Sequence, residues 1–407
     1  MTPLNPLSPN LGDFDPATIK FGIFQAPYHP LNGNPTLQIR RDIQLAQVAD
    51  ELGFDEYWMG EHHSSGIENI PSPELFIAAA AERTSRITFG TGVVSLPYHH
   101  PLLVADRIAQ LDHQTNGRVI LGVGPGKLPV DAIMMGIDPV DQRRMQGESL
   151  EAVTRLLRGE VVNMETDWFT LKDGRAQLQP VRPEGIEIAV ASTVSPSGSV
   201  LAAKHGASLF SLAAGDKAGF DALDRNWDVY EKESLANGYD ATRRNWRVVT
   251  PMFLAESRED ADRAIRRKVL HHTDYLEQVS GVTFPWARDA QSATDQLRGE
   301  GWPSFGSAVI GTPDEAIEAI EALIEKTGGF GSFLVIHYDM ADWDATKKSY
   351  ELFAEEVIPH FRRSNRGRVA SLQYHNAHAA ELGAGAAAAI TKATKEYYGE
   401  GAAVPLR

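Results

Sequence analysis

"ITFGTGVVSLPYHHPLLVADRIAQLDHQTNGRVILGVGPG", residues 87–126, contains one complete strand, helix and strand. The apolar run at 87–93 breaks at "SLPYHHP", and residues 101–115 then follow a helical period. A second apolar run, "RVILGVG" at 118–124, ends in closely spaced glycines. Two such runs joined by a helix cannot form a hairpin. They form a parallel pair with a crossover.

The same alternation extends in both directions. Strands are expected at 20–25, 54–59, 186–191, 208–213, 247–255 and 331–338, which with 87–93 and 118–124 makes eight. Helical segments separate them at 36–52, 73–84, 141–158, 196–205, 217–237, 258–277 and 313–326, and another follows at 344–362. Ile39, Ile43, Ala46 and Ala49 mark the buried face of the first. An open sheet of this size usually carries a nucleotide fingerprint in its first unit, and none is present. The fold class expected is therefore α/β, a (β/α)₈ TIM barrel with insertions over residues 20–362.

Three segments exceed the barrel. Residues 1–19 read as a Pro/Asn-rich N-terminal arm, and 363–407 as a C-terminal helical extension suited to subunit contact. Insertions are expected near 160–185, as a β-hairpin over the mouth, and near 278–308, as a long loop and candidate lid.

Composition narrows the function. The chain of 407 residues carries a formal charge of -15 with no clustered Lys/Arg, which argues against a nucleic-acid surface. It has no cysteine, so thiolate ligands and cysteine nucleophiles are excluded. Neither a signal-like leader nor a run near the ~20 apolar residues of a membrane span occurs, and a cytoplasmic protein is expected.

Three motifs fall at carboxyl ends of the expected strands, the face where such barrels carry their sites. "LGVGPGKLP" at 121–129 has neither Walker nor dinucleotide spacing, and Pro125 removes an N–H from the loop. Its glycines, Gly124 among them, admit a flat ligand close to the backbone, or simply a tight turn. "ASTVSPSGS" at 191–199 sets hydroxyls and backbone N–H groups at a helix N-terminus, a phosphate seat or plain capping by Ser195 or Ser197. "YWMGEHHSSG" at 57–66 offers Glu61, His62 and His63. Neighbours at a strand end point apart, so both histidines should not reach one ion, and no HExxH occurs. The second pair, His99 and His100, keeps a zinc site built across loops open as an alternative; no metal is expected.

These segments resemble the luciferase-like flavin monooxygenases, which include bacterial luciferase and bacterial monooxygenases acting on alkanes and terpenes. The resemblance rests on "GFDEYWMGEHHSS", the 87–126 stretch, "ASTVSPSGSVLAAKHGA" and "VIGTPDEAIEAIEAL", in family order. The "GVGPG" and "SPSG" pieces are most similar to the limonene 1,2-monooxygenase branch.

The resemblance implies reduced FMN, with FAD possible, bound at the barrel mouth against the second to fourth strands. It implies O2 as co-substrate, a C4a-(hydro)peroxyflavin, and NAD(P)H acting indirectly through a separate flavin reductase. One oxygen atom would enter a small hydrophobic substrate: a terpene, an alkane or a ketone. His62 matches the acid/base histidine and Glu61 its neighbour in the Glu-His-His motif. Gly92 and Val93 match the position of an unusual cis peptide, and Val194, Ser195, Ser197 and Gly198 match the phosphate turn. Gly124-Pro125 departs from the family's Cys-Arg, so a phosphate contact from arginine is lost there. Phe24, Tyr57, Trp58, Phe253 and Trp286 are candidate apolar walls or ordinary core. A homodimer is implied as well. A deazaflavin-dependent dehydrogenase of the same fold, a non-catalytic flavin-binding protein and a metal-dependent hydrolase remain as alternatives.

Overall fold

Parallel pairings that return on themselves define the architecture. The computed structural model of the chain describes residues 14–401 except 213, 216, 281 and 303–305. Most of the N-terminal arm, the last residues of the extension and parts of the 278–308 segment therefore lie outside the described residues.

Twelve strands are described: β1 Lys20–Gln25, β2 Glu56–Met59, β3 Thr88–Thr91, β4 Val94–Ser95, β5 Val119–Gly124, β6 Val162–Glu165, β7 Thr170–Gly174, β8 Glu187–Ser192, β9 Ser208–Ser211, β10 Trp246–Leu254, β11 Val309–Gly311 and β12 Ser332–His337. Eight of them close in the order β1-β2-β3-β5-β8-β9-β10-β12, and β12 pairs back with β1. All these pairings are parallel, with a helix returning the chain between successive barrel strands. This is the (β/α)₈ barrel expected from the sequence. β6 and β7 form a separate antiparallel hairpin, and β11 extends the sheet beside β10.

Helix ends follow the local chemistry. Asn34 caps the helix Pro35–Leu52, which stops at Gly53 in the left-handed region. Thr312 and Glu315 form a capping box at Pro313–Thr327.

Inside the barrel, Trp58, Ile120, Ala189, Phe210, Val249, Leu334 and Ile336 form a closed apolar cluster. Beneath it Arg247, fully buried, bonds Glu56 through Nε (2.8 Å) and Nη2 (3.0 Å), and Glu187 through Nη1 (2.7 Å). Ser332 and the Trp58 indole also donate to Glu56. The cluster thus ties β2, β8, β10 and β12 together at their amino-terminal halves, away from the mouth.

Three sequence expectations change in detail. The helix expected at 258–277 is two, Arg258–Ile265 and Val269–Ser280, with Lys268 between them drawn to Asp339 and the Ala341 carbonyl. The 278–308 segment is not a structureless loop: Asp289 caps a helix Ala290–Arg298, against which Trp302 is buried with its indole donating to the Ala293 carbonyl. Its Trp, Pro, Gly and Ser content masked Ala293 and Leu297, spaced four apart and both buried. The strand expected at 87–93 is interrupted at Gly92–Val93, a cis peptide, and resumes as β4.

The chain divides into two compact units between Ile358 and Pro359, whereas the sequence reading set a boundary after 362. Within the second unit the helices Arg366–Ala377 and Ala379–Tyr398 meet at His378, whose ring stacks on Tyr374. Among the described residues, no helix is long and apolar enough to cross a membrane.

Candidate active site

Strand β2 alternates: Glu56 and Trp58 point into the barrel, while Tyr57 turns outward onto Phe76 and Phe89. Gly60 still pairs with Gln25, so Glu61 is the first residue released from the sheet. Its side chain folds back and is buried. Oε1 accepts from His63 Nε2 (3.0 Å) and His99 Nε2 (3.1 Å), and Oε2 accepts from the Ser95 N–H (3.2 Å). Burial alone would raise the carboxyl's pKa, but the two imidazoles outweigh it and hold it below the usual range. The reciprocal bond to Glu61 raises His63. One carboxylate therefore joins the end of β2 to the segment between β4 and the helix Pro101–Thr115.

His62 turns the other way. Its Nε2 lies 3.3 Å from Glu68 Oε1 and its Nδ1 3.5 Å from Asp131 Oδ2, while its backbone N–H is fixed to the Ile70 carbonyl. His62 Nδ1 and Asp131 Oδ1 are both buried without a hydrogen-bond partner, as is Asn69 Oδ1, whereas the Ser64 hydroxyl turns to Asp131 and the Ser65 hydroxyl to Tyr275. Unsatisfied buried polar atoms are unusual in a folded protein, and these gather where the turn after β2 meets the helix Pro129–Met134. The adjacent histidines diverge, as alternating neighbours must.

Neither Glu68 nor Asp131 was singled out in the sequence. Glu68 follows a turn in which Ser65 has positive φ, and Asp131 sits in the first turn of the helix Pro129–Met134 after β5. Only the proximity of two loops gives them a role, and no local spacing signals it.

Glu61, His63 and His99 are also a group whose ligand-type atoms lie within 4.8 Å of one another. A divalent ion could be held there in principle. The geometry has a simpler account, because an ionised carboxylate only accepts and each imidazole Nε2 supplies a proton to it.

The remaining sequence-predicted residues lie along the same rim. Gly92 and Val93 join β3 to β4, with Val93 packed on the interior cluster. Gly124 ends β5, where a Cβ would come 2.6 Å from Val93 Cγ2, so a neighbouring side chain already requires glycine. After β8, Val194, Ser195 and Ser197 are exposed; Ser195 Oγ and Ser197 Oγ are 2.8 Å apart, and Ser195 Oγ accepts the Ser197 N–H. A Cβ on Gly198 would meet the Ala191 carbonyl at 2.4 Å, which explains that glycine by packing. The following Ser199 Oγ is buried and unsatisfied at the N-terminus of the helix Ser197–His205. Asn226 holds the turn by donating to the Thr193 carbonyl (2.8 Å).

Other residues divide by orientation. Trp58 and Phe24 belong to the barrel interior, Phe253 and Trp286 to an aromatic cluster with Tyr28 and Trp302. Tyr57 is wholly buried on the outer side of β2, so it is core and no wall of the mouth. His337 bonds Tyr350 on the helical layer and is likewise turned from the mouth. Because β2, β3, β5 and β8 are consecutive around the barrel, Glu61/His62, Gly92–Val93, Gly124 and the serine turn occupy one continuous arc. Such an arc can seat an elongated ligand with an anion at the serine end and a reactive centre near His62.

Residues 19–329 match the family model for luciferase-like monooxygenases. The chain is 44% identical over 343 residues to limonene 1,2-monooxygenase of Rhodococcus erythropolis, covering 84% of this chain and 87% of that protein. It is also 44% identical over 357 residues to 4-hydroxyprotoasukamycin monooxygenase of Streptomyces nodosus subsp. asukaensis, covering 87% and 95% respectively. A similar solved structure is the oxygenating constituent of 3,6-diketocamphane monooxygenase from Pseudomonas putida, a type II Baeyer-Villiger monooxygenase in complex with FMN. It shares 28% identity and a TM-score of 0.69, with 84% of this chain and 98% of that one covered.

Proposed function

The chain belongs to the luciferase-like monooxygenase family and is an enzyme of the monooxygenase class, and from that premise we propose that it is the oxygenase of a two-component flavin system. It would take reduced FMN from a separate NAD(P)H-dependent reductase and use O2 to oxygenate a small hydrophobic molecule such as a terpene, alkane or ketone. The FMN-bound oxygenating constituent from Pseudomonas putida supports both the cofactor and the division of labour. The observation that carries the reading is the arc from the serine turn to His62, with unsatisfied buried polar atoms at both ends.

The residues fit the cofactor. Ser195, Ser197 and the N-terminal N–H groups of the helix Ser197–His205 would hold the phosphate, aided by the helix dipole, with Val194 and Gly198 shaping the turn. Gly92, Val93 and Gly124 would back the ring over adjacent strands. When bound, reduced FMN supplies the two electrons that let one atom of O2 enter the substrate while the other leaves as water.

The protein's own part is positional and acid/base. His62 would hold a proton on the imidazole beside the reacting oxygen and release it as charge develops there. Glu61, anionic and saturated by three donors, would brace the rim through His63, His99 and Ser95. Phe24 and Trp58 would exclude water from below.

We further infer a cytoplasmic homodimer. The neighbouring helices Pro73–Ala81 and Pro101–Thr115 expose Leu75 and Leu103, a surface suited to a second copy and testable by light scattering.

The experiment is anaerobic titration with reduced FMN, followed by ¹⁸O₂ and a panel of terpenes, alkanes and ketones. One labelled atom in the product and one in water is expected. Absence of binding to reduced FMN or FAD would sink the flavin reading, and turnover with a reduced deazaflavin without O2 uptake would replace it with the dehydrogenase alternative.

A further inference from the structure

We propose that Asp131 is the positioning residue for His62, fixing its Nδ1 so that Nε2 is the working nitrogen. The proposal rests on His62 being the acid/base group of the proposed reaction, and deepens that reading with a residue from the helix that follows β5.

Asp131 is almost fully buried, yet it sits on a six-residue helix whose other side is exposed through Val130, Ile133 and Met134. A buried carboxylate on so apolar a helix needs a polar reason. Three groups face it from the turn after β2: His62 Nδ1 at 3.5 Å, the Ser64 hydroxyl and the His63 backbone N–H. One carboxylate thus reaches the whole 62–64 turn from across the rim, and its companions on that turn are the residues flanking the acid/base histidine.

The contact is incomplete, and the defect is complementary. His62 Nδ1 lacks a hydrogen-bond partner and so does Asp131 Oδ1, both buried. A small ring rotation or carboxylate turn joins them and satisfies both atoms at once. Since a carboxylate accepts only, the bond requires the proton on Nδ1. Nε2 is then the nitrogen that gives and regains a proton, and Glu68 Oε1, 3.3 Å away and 13% exposed, accepts from it whenever that proton is present. Tautomer selection by an orienting carboxylate is a known device, and a side chain one ångström out of place loses much of its effect.

The test uses the full chain without flavin, labelled with ¹⁵N-histidine. In the wild-type protein, His62, identified by the signal lost in His62→Gln, is expected to show a protonated Nδ1 with slowed solvent exchange. Asp131→Asn, which conserves shape, is expected to mix the tautomers and speed that exchange while leaving the Kd for reduced FMN within about twofold. Coupled turnover would fall by about tenfold or more. Asp131→Glu is expected to restore part of the slow exchange.

An unprotonated or freely exchanging Nδ1 in the wild type overturns the proposal, even if Asp131→Asn fails to fold. An unchanged His62 signal in Asp131→Asn overturns it too. If the ring signals respond as expected but no oxygenation occurs with any flavin, Asp131 still positions His62 and it is the monooxygenase reading that fails.

Discussion

His99 Nε2 lies 3.1 Å from Glu61 Oε1, across 38 residues of chain, and the same oxygen receives His63 Nε2 at 3.0 Å. Two segments leaving different strands are thereby joined at one buried oxygen. Glu61→Gln substitutes an NH₂ or a weaker acceptor where three donors converge, at a cost of about 1–3 kcal/mol. The pH signs follow from the shifts. Glu61 is lowered in the fold, so its contribution is present above its unfolded pKa of about 4.3 and lost as pH falls through the folded value. His63 is raised, so its share is full below about 6.5 and lost as pH rises through its folded value. Urea midpoints from pH 3 to 9 should therefore show both limbs flattened in Glu61→Gln. Parallel curves for variant and wild type would refute this.

Because both imidazoles already donate to Glu61, the Glu61, His63 and His99 group is expected to work without a metal. Dialysis against EDTA should leave the thermal midpoint and FMN-dependent turnover unchanged, and added zinc should not raise the midpoint. A stoichiometric ion retained by the wild type and lost in His99→Ala would overturn this account.

His62→Ala is expected to leave secondary structure and flavin affinity near wild type while uncoupling electron use from product. Loss of a positioned proton donor usually costs 10²- to 10⁴-fold. Product formed per NAD(P)H consumed, with the reductase supplied in excess, measures it directly. Full coupling in the variant would remove His62 from the chemistry.

The barrel was legible because its strands are short apolar runs separated by segments of helical period, and several helices start at a capping residue followed by proline: Asn34, Ser72 and Thr312. Glu61 and His62 were legible for the same reason, being the first polar residues after β2. Asp131 and Glu68 were not. Their meaning lies in two loops from non-consecutive segments meeting at His62, and a carboxylate in "LPVDAI" carries no local mark of that encounter. Tyr57 was open between wall and core, and the alternation of side chains along β2 decides for core by sending it outward onto Phe76. Gly124 was read as room for a flat ligand or as a tight turn, and Gly198 as part of the phosphate turn; packing against Val93 and the Ala191 carbonyl already accounts for both glycines.

His29 predicts an alkaline limb. Its ring lies between Asp42 (2.9 Å) and Asp339 (3.4 Å), with Lys268 on the far side of Asp339. Burial would lower its pKa, but the bonds to Asp339 and Asp42 prevail and push it up to about 9. A raised histidine stabilises fully below its unfolded value near 6.5, and that stability fades as pH rises through about 9. The linkage is on the order of 3 kcal/mol. His29→Gln should lie below wild type at pH 6 and approach it by pH 10 in urea unfolding. A constant difference across that range would discard the charged-imidazole account.

Arg247 predicts the largest effect on stability with the smallest on the site. Its guanidinium is fully buried and shares Glu56, also buried, with Ser332 and the Trp58 indole, while Glu187 on its other side is 40% exposed. Burial lowers the guanidinium's pKa, Glu56 and Glu187 more than restore it, and the group stays charged. Arg247→Met leaves the buried Glu56 with the exposed Lys20 ammonium, 3.9 Å away, as its remaining counter-charge, and removal of the buried partner from such a pair costs roughly 3–5 kcal/mol, with Lys20 drawing the loss toward the lower end. Glu187, reached by solvent, adds little. Arg247→Met on a Glu56→Gln background should therefore cost clearly less than on the wild type, because the stranded charge is gone. Urea unfolding of the four proteins gives the coupling. The cluster ties β2, β8, β10 and β12 far below the rim, so flavin affinity should survive wherever the variants fold. Additive losses would mean that water already reaches Glu56, and the ion cluster would then have no special hold on the barrel.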